Sequence, residues 1–181
     1  MTVTPPPAGA RSIASAFAAA LALAACAPAS DTDDPHLVPP VTGGGSIEAW
    51  FAAGYYLAWT CEPALRDPIG SSPHGDVRTC ANALAESSTD KLDASLVLEI
   101  ADDTGAIGGF GSMRRTAAGS DGDVWYWYMR VPLDNATAHD AVGVAADGWG
   151  FGADPAADYC TPCHRTAGDG QAGSDMVFVV P

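Results

Sequence analysis

The run Cys160-Thr161-Pro162-Cys163-His164 constrains this chain more than any other stretch. Two cysteines three positions apart, followed at once by a histidine, form the attachment signature of a c-type haem. The spacing has a chemical reason. Two thiols add to the two vinyl groups along one edge of a porphyrin, and the next residue brings an imidazole under the iron. Cys160 and Cys163 are therefore expected to hold one covalently attached haem c, with His164 as the proximal iron ligand. Other chemistry uses the same residues. Zinc takes four ligands, usually as two separated pairs, and the remaining histidines, His36, His74 and His139, are scattered, with no second pair apparent. A plain or redox-active disulfide between Cys160 and Cys163 is a further alternative. A thioredoxin-like pair, however, belongs to a βαβ pattern that is not evident here.

The amino-terminal end reads as an export signal. Residues 12–25 are almost wholly apolar and alanine-rich, follow a polar lead containing Arg11, and end in Leu23-Ala24-Ala25-Cys26. The run is too short to span a bilayer as a helix. Small residues before a cysteine suit cleavage and lipidation at that cysteine. Residues 1–25 are expected to be a lipoprotein signal peptide, Cys26 the lipidated residue, and residues 26–45, mostly Pro, Ala, Ser, Asp and Gly, a disordered tether. Residues 46–181 then form one domain. Such a protein is exported and lipid-anchored, at the outer membrane or the periplasmic face of a bacterial envelope, and meets the membrane only through its lipid.

Of the five cysteines, Cys61 and Cys80 remain. An oxidising compartment favours pairing them, which would staple a loop rich in Pro, Ser and Gly and contribute ~3 kcal/mol on a chain-entropy view. The formal charge is −14. This argues against nucleic acid as a partner and against electrostatic docking on anionic lipid. A basic redox partner or a small neutral or cationic substrate is compatible with it.

Periodicity supplies the elements. Ser46 is expected to cap a helix running to about Trp59, with Ile47, Trp50, Phe51, Gly54, Tyr55 and Ala58 on one apolar face. Residues 61–76 are broken by Pro63, Pro68, Gly70, Pro73 and Gly75 and read as a loop. Strands are expected over 77–84, 94–101, 107–116 and 123–132. In the last of these, Trp125, Trp127 and Met129 share one face, and Val124, Tyr126, Tyr128 and Arg130 the other. Residues 147–152 read as a glycine-rich turn, 157–166 as a short helix carrying the Cys-x-x-Cys-His motif, and Ser174 to Val180 as a closing strand. The order implies an α+β domain, a mostly antiparallel sheet with an N-terminal helix and a short haem-binding helix near the C-terminus.

Several of these residues together resemble the cytochrome P-460 family and its relative cytochrome c′-beta. They are Ser72-Pro73-His74-Gly75-x-Val77-Arg78, Val97-Leu98-Glu99-Ile100, Ser112-Met113, Gly148-Trp149-Gly150-Phe151-Gly152, the Cys160-x-x-Cys163-His164 motif and Asp175-Met176-Val177-Phe178. The resemblance covers residues 46–181, and its last three elements in their order are the specific part. It implies a mostly antiparallel β fold, commonly a homodimer, with one open axial position on the haem iron. That open site would bind hydroxylamine or nitric oxide, and electrons would leave to a soluble cytochrome partner. The resemblance also implies a carboxylate base a few residues before the haem cysteines, which points to Asp154 and Asp158. Oxidase members bear a lysine joined to the porphyrin. This chain departs from them: its one lysine, Lys91, lies between Asp90 and Asp93, and the strand where the lysine would be sought reads Val97-Leu98-Glu99-Ile100.

Three functions follow from these readings. The first is a monohaem cytochrome that binds or oxidises small nitrogen ligands at an open iron site. The second is an electron-transfer cytochrome whose sixth position is closed by Met113, Met129, Met176 or His74. The third is a haem-free structural lipoprotein with a disulfide or zinc at the motif.

Overall fold

The computed structural model describes residues 38–69, 72–119, 121–150, 160–167, 176–178 and 180–181. Six strands form one antiparallel sheet in chain order: β1 (Thr60–Cys61), β2 (Val77–Ala81), β3 (Ser95–Ala101), β4 (Ile107–Arg115), β5 (Trp125–Arg130) and β6 (Val144–Trp149). Among the described residues three short helices accompany it: α1 (Gly44–Ala52), α2 (Ala83–Ser87) and α3 (Thr161–His164). The fold class is α+β, as the sequence implies. Among the described residues no helix is long and apolar enough to cross a membrane.

Side chains alternate across a strand, so register decides which residues meet. One row runs Thr79, Leu98, Gly111, Met129, Ala146, and its neighbour runs Ala81, Leu96, Met113, Trp127, Gly148. Both rows face the same side. The opposite side carries Cys80, Val97, Phe110, Tyr126 and Tyr128, and α1 packs there through Ile47, Trp50 and Phe51. Phe51 stacks on Phe110 with ring centroids 4.8 Å apart. Glu99 is buried on this side, where it accepts hydrogen bonds from Tyr56 at 2.7 Å and Arg78 at 2.6 Å. Three charges and hydroxyls thus satisfy one another beneath the helix. Tyr128 likewise donates across to Glu48 of α1. Burial and that carboxylate push the Tyr128 phenol well above its usual range.

Several local expectations are corrected. The first helix starts at Gly44, with Gly43 before it, and ends at Ala52. Gly54 sits in the left-handed region at φ 70°, which terminates the helix, and a tight 3-10 turn over Tyr55–Ala58 follows. The change of phase buries Tyr56 and leaves Tyr55 and Leu57 exposed. Val38 and Pro39, at the end of the stretch read as a tether, are buried, and the Pro39 carbonyl accepts a hydrogen bond from Arg114. The strand expected over 77–84 stops at Ala81. Asn82 then caps α2 by accepting from the Ala85 N–H at 2.9 Å. Val124 leaves the Tyr126 and Tyr128 face because it belongs to a 3-10 turn, Gly122–Val124, and joins the cluster of Trp125 and Trp127. Residues 147–149 belong to β6 and not to a turn. The expected closing strand adds nothing to the sheet among the described residues, where Val177 takes part only in an isolated bridge.

Candidate functional site

The sheet face away from α1 carries an open apolar recess. Its floor is the two rows described above, at Leu96, Leu98, Gly111, Met113, Trp127 and Met129. Gly111 lies between Leu98 and Met129 in its row, so the floor dips where a side chain would otherwise stand. One wall is the loop before β2, with Arg66, Ile69, Ser72 and His74. The other wall is the carboxyl-terminal segment, with Cys160, Cys163, His164, Val177 and Phe178. The fold therefore gathers the whole Cys-x-x-Cys-His motif at one cavity.

Two glycines determine where α3 sits. A Cβ on Gly122 would lie 2.4 Å from the Thr161 Cγ2, and one on Gly150 would lie 2.6 Å from the Thr161 Oγ1. Thr161, itself fully buried, is thus seated in a notch that only glycine leaves open. Pro162 follows it in the first turn, where a missing N–H costs nothing. The His164 N–H closes the turn on the Cys160 carbonyl at 3.0 Å. Arg165 extends the anchorage by pairing with Asp121 at 2.8 Å.

His164 is held in the manner of a metal ligand. Its Nδ1 lies 2.5 Å from the Met176 carbonyl oxygen, an acceptor, so Nδ1 carries the proton. The lone pair then belongs to Nε2, the arrangement that a second-shell carbonyl imposes on ligating histidines. Met176 adopts φ 70°, an uncommon conformation for a non-glycine residue, at the carbonyl that does this. The ring is clamped edge-on between Trp127, at 4.8 Å, and Phe178, at 5.4 Å. Burial holds its pKa below the usual imidazole range, partly offset by the Met176 bond.

The two motif cysteines are not in a disulfide. Cys160 is buried and Cys163 exposed, so one thiol lies inside the cavity wall and the other at its edge. Thiols, an imidazole with a free Nε2 and an apolar floor together fit a haem c, with Cys160 and Cys163 as its attachment points and His164 as its iron ligand. Among the described residues no group of three His, Cys, Asp or Glu side chains assembles that could hold a metal ion directly.

The remaining predicted residues fall elsewhere. Cys61 and Cys80 form a disulfide that ties β1 to β2 across directly opposed positions. Cys26, Asp154 and Asp158 lie outside the described residues, as do residues 1–25. No lysine lines the recess: Lys91 donates to Ser87 on an exposed turn, and Leu98 occupies the floor. Met113 and Met129 line the floor, whereas Met176 packs by Gly122 and supplies the carbonyl to His164.

His74, which the sequence offers both within the family resemblance and as a candidate sixth ligand, joins the motif at this recess. It lines the wall, and its Nδ1 is buried and has no hydrogen-bond partner among the described residues. Its pKa is pulled down to about 4, first by burial and then by the nearby charges of His164 and Arg66. Only the folded loop brings it to the motif, since ninety residues separate it from His164 in the chain. Compared with known proteins, the chain matches no family model, no curated protein and no solved structure.

Proposed function

We propose that this chain is an exported monohaem c-type cytochrome of the cytochrome P-460 kind, which holds a small nitrogen ligand such as nitric oxide or hydroxylamine in the recess. The observation that carries the reading is the fixed tautomer of His164, with its Nδ1 on the Met176 carbonyl, beside two unbridged thiols at an apolar cavity. When bound, a haem supplies redox chemistry and a coordination site for the ligand. The chain's own residues do the rest. Cys160 and Cys163 fasten the ring, and His164 is oriented by Met176, Trp127 and Phe178. Leu96, Leu98, Met113 and Met129 keep the floor apolar, which excludes water and tunes the potential.

Ligand binding is favoured over hydroxylamine oxidation because Leu98, and not a lysine, stands in the floor. Export as a lipoprotein, through residues 1–25 and Cys26, accompanies this reading, and the Cys61–Cys80 disulfide agrees with an oxidising compartment. The partners expected are a soluble cytochrome and a second copy of this chain.

The test is an absorption spectrum of protein made in cells competent in cytochrome c maturation. A Soret band that survives denaturation, and is lost from the polypeptide in Cys160→Ala/Cys163→Ala, is the expected result. His164→Ala should keep the attached pigment but change its spin-state bands. A colourless, iron-free wild type would refute the proposal.

A further inference from the structure

We propose that Arg66 anchors the anionic edge of the porphyrin, binding a haem propionate through its guanidinium. This rests on the haem c reading above. In a haem, the vinyl groups and the two propionates stand on opposite edges of the ring. The Cys-x-x-Cys-His motif accounts for the vinyl edge and the iron, and assigns nothing to the edge opposite. In a chain of net charge −14, two further carboxylates meet an unfavourable field unless a cation receives them.

The layout of the recess selects one residue for this. Helix α3 is seated beside the start of β5 and the end of β6, with Thr161 against Gly122 and Gly150 and His164 against Trp127. A ring fastened there extends across the floor toward β2, three strand spacings from β5, or about 14 Å. Arg66 stands on that far wall, and among the described residues of the lining it is the one arginine or lysine. Its Nη2 donates to the Thr79 Oγ1 at 3.3 Å, and Thr79 begins the floor row that continues through Leu98, Gly111 and Met129. The guanidinium therefore lies at the edge of the floor. The side chain keeps 28 % of its surface accessible, so an occupant of the recess can touch it.

The guanidinium is also held in position. Its Nε donates to Glu62 at 2.8 Å, and its Nη1 donates to the Asp67 carbonyl at 3.3 Å. The second Glu62 oxygen accepts the Thr79 N–H at 2.7 Å, which ties this brace to β2. Arg66 and Val77 exchange backbone hydrogen bonds as well. A guanidinium carries five N–H donors in a rigid fork. Among the described residues these contacts engage one donor on each nitrogen, which leaves one N–H on each terminal nitrogen. A carboxylate is the group that such a fork takes. Glu62 thus orients Arg66 without using up its donors.

The experiment uses holoprotein and two readouts, the resonance Raman bending mode of the propionates and the pH dependence of the reduction potential. In Arg66→Leu the bending mode should shift to lower frequency, because the carboxylate has lost its hydrogen bonds. A cation favours the ionised propionate, so removing it raises that group's pKa. The pH at which the potential begins to climb on acidification should therefore move up by about one to two units, the change that a charge-assisted hydrogen bond supplies. The charged and titratable groups around this corner are Glu62 and Asp67 on the loop, His74 on the same wall, and Cys160, Cys163 and His164 on the wall opposite. Arg78 of β2 is turned to the other face, on Glu99. Arg66 also lowers the His74 pKa, so the shift should persist in a His74→Gln background. Arg66→Lys, which keeps the charge and loses the fork, should restore most of the pH profile but not the bending mode, and serves if Arg66→Leu folds poorly. A bending mode and pH profile unchanged in coloured Arg66→Leu, or a mode unchanged in Arg66→Lys, would overturn this inference alone. So would a shift that vanishes in the His74→Gln background. A colourless wild type would remove the haem reading and this inference with it.

Discussion

Thr161 does more for the site than its place between the motif cysteines suggests. Its side chain fills the notch left by Gly122 and Gly150, and through it the whole motif is docked on the sheet. Gly122→Ala is expected to destabilise the protein by about 1–3 kcal/mol, the usual range for forced overpacking. Thr161→Ala in the same chain should recover part of that loss by removing the clashing atoms, a coupling that urea denaturation of the single and double variants would measure. His74 makes a second prediction at this scale. Its folded pKa is about 4, whereas its ordinary value is 6.5. Between those values the unfolded chain binds more protons than the folded one. The stability associated with neutral His74 is complete above pH 6.5 and is lost as pH falls toward 4. Urea midpoints from pH 7.5 to 4.5 should decline, and His74→Gln should flatten the decline. Asp102 and Asp140, both held below the usual carboxylate range by hydrogen bonds within their turns, add their loss only at lower pH.

The loop that forms one wall of the recess is anchored at its start by β1, a strand of two residues. Such an edge has little pairing of its own, so the Cys61–Cys80 disulfide, spanning a sequence separation of 19, carries much of the anchorage. Cys61→Ser and Cys80→Ser should each lower stability by about 3 kcal/mol on the chain-entropy view, and the double variant by no more than either. Thermal unfolding with and without reductant would check this, and equal midpoints would contradict it. Elements of this kind show what could be read beforehand. The alternation of Trp125, Trp127 and Met129 against Tyr126 and Tyr128 states which residues share a face, and β5 obeys it. Cysteine counting likewise led to the pair that forms the bridge. By contrast, β6 reads Val-Ala-Ala-Asp-Gly-Trp, a poor strand sequence, and becomes a strand because β5 offers it an edge. Helix α2 has five residues, too few for a helical period to show. The role of Gly122 and the position of His74 depend on contacts between residues far apart in the chain, which no local pattern encodes.

At the scale of the whole molecule, the sheet separates two cores that share strands but few side chains. Among the described residues the face under α1 draws nothing from the carboxyl-terminal segment: its cluster is built on Ile47, Trp50, Phe51, Tyr56, Val97, Tyr126 and Tyr128. The opposite cluster includes Cys160, Met176 and Val177 beside Trp125, Trp127 and Met129, so its outer layer is the segment that would carry haem. This division predicts that Cys160→Ala/Cys163→Ala, which can hold no thioether-linked haem, still folds. Far-UV circular dichroism should keep its strand signal, and hydrogen exchange should still protect the central amides of β3, β4 and β5. Loss of protection should concentrate in residues 160–167 and in β6 beside them, with Trp127 becoming accessible to quenchers while Trp50 stays shielded. The physical basis is that antiparallel hydrogen bonding and one buried face suffice for a sheet of this size, whereas the recess loses its cover. Uniform loss of protection across both faces would mean that the two cores fold as one unit, and that the segment carrying the Cys-x-x-Cys-His motif is part of the fold and not a layer added to it.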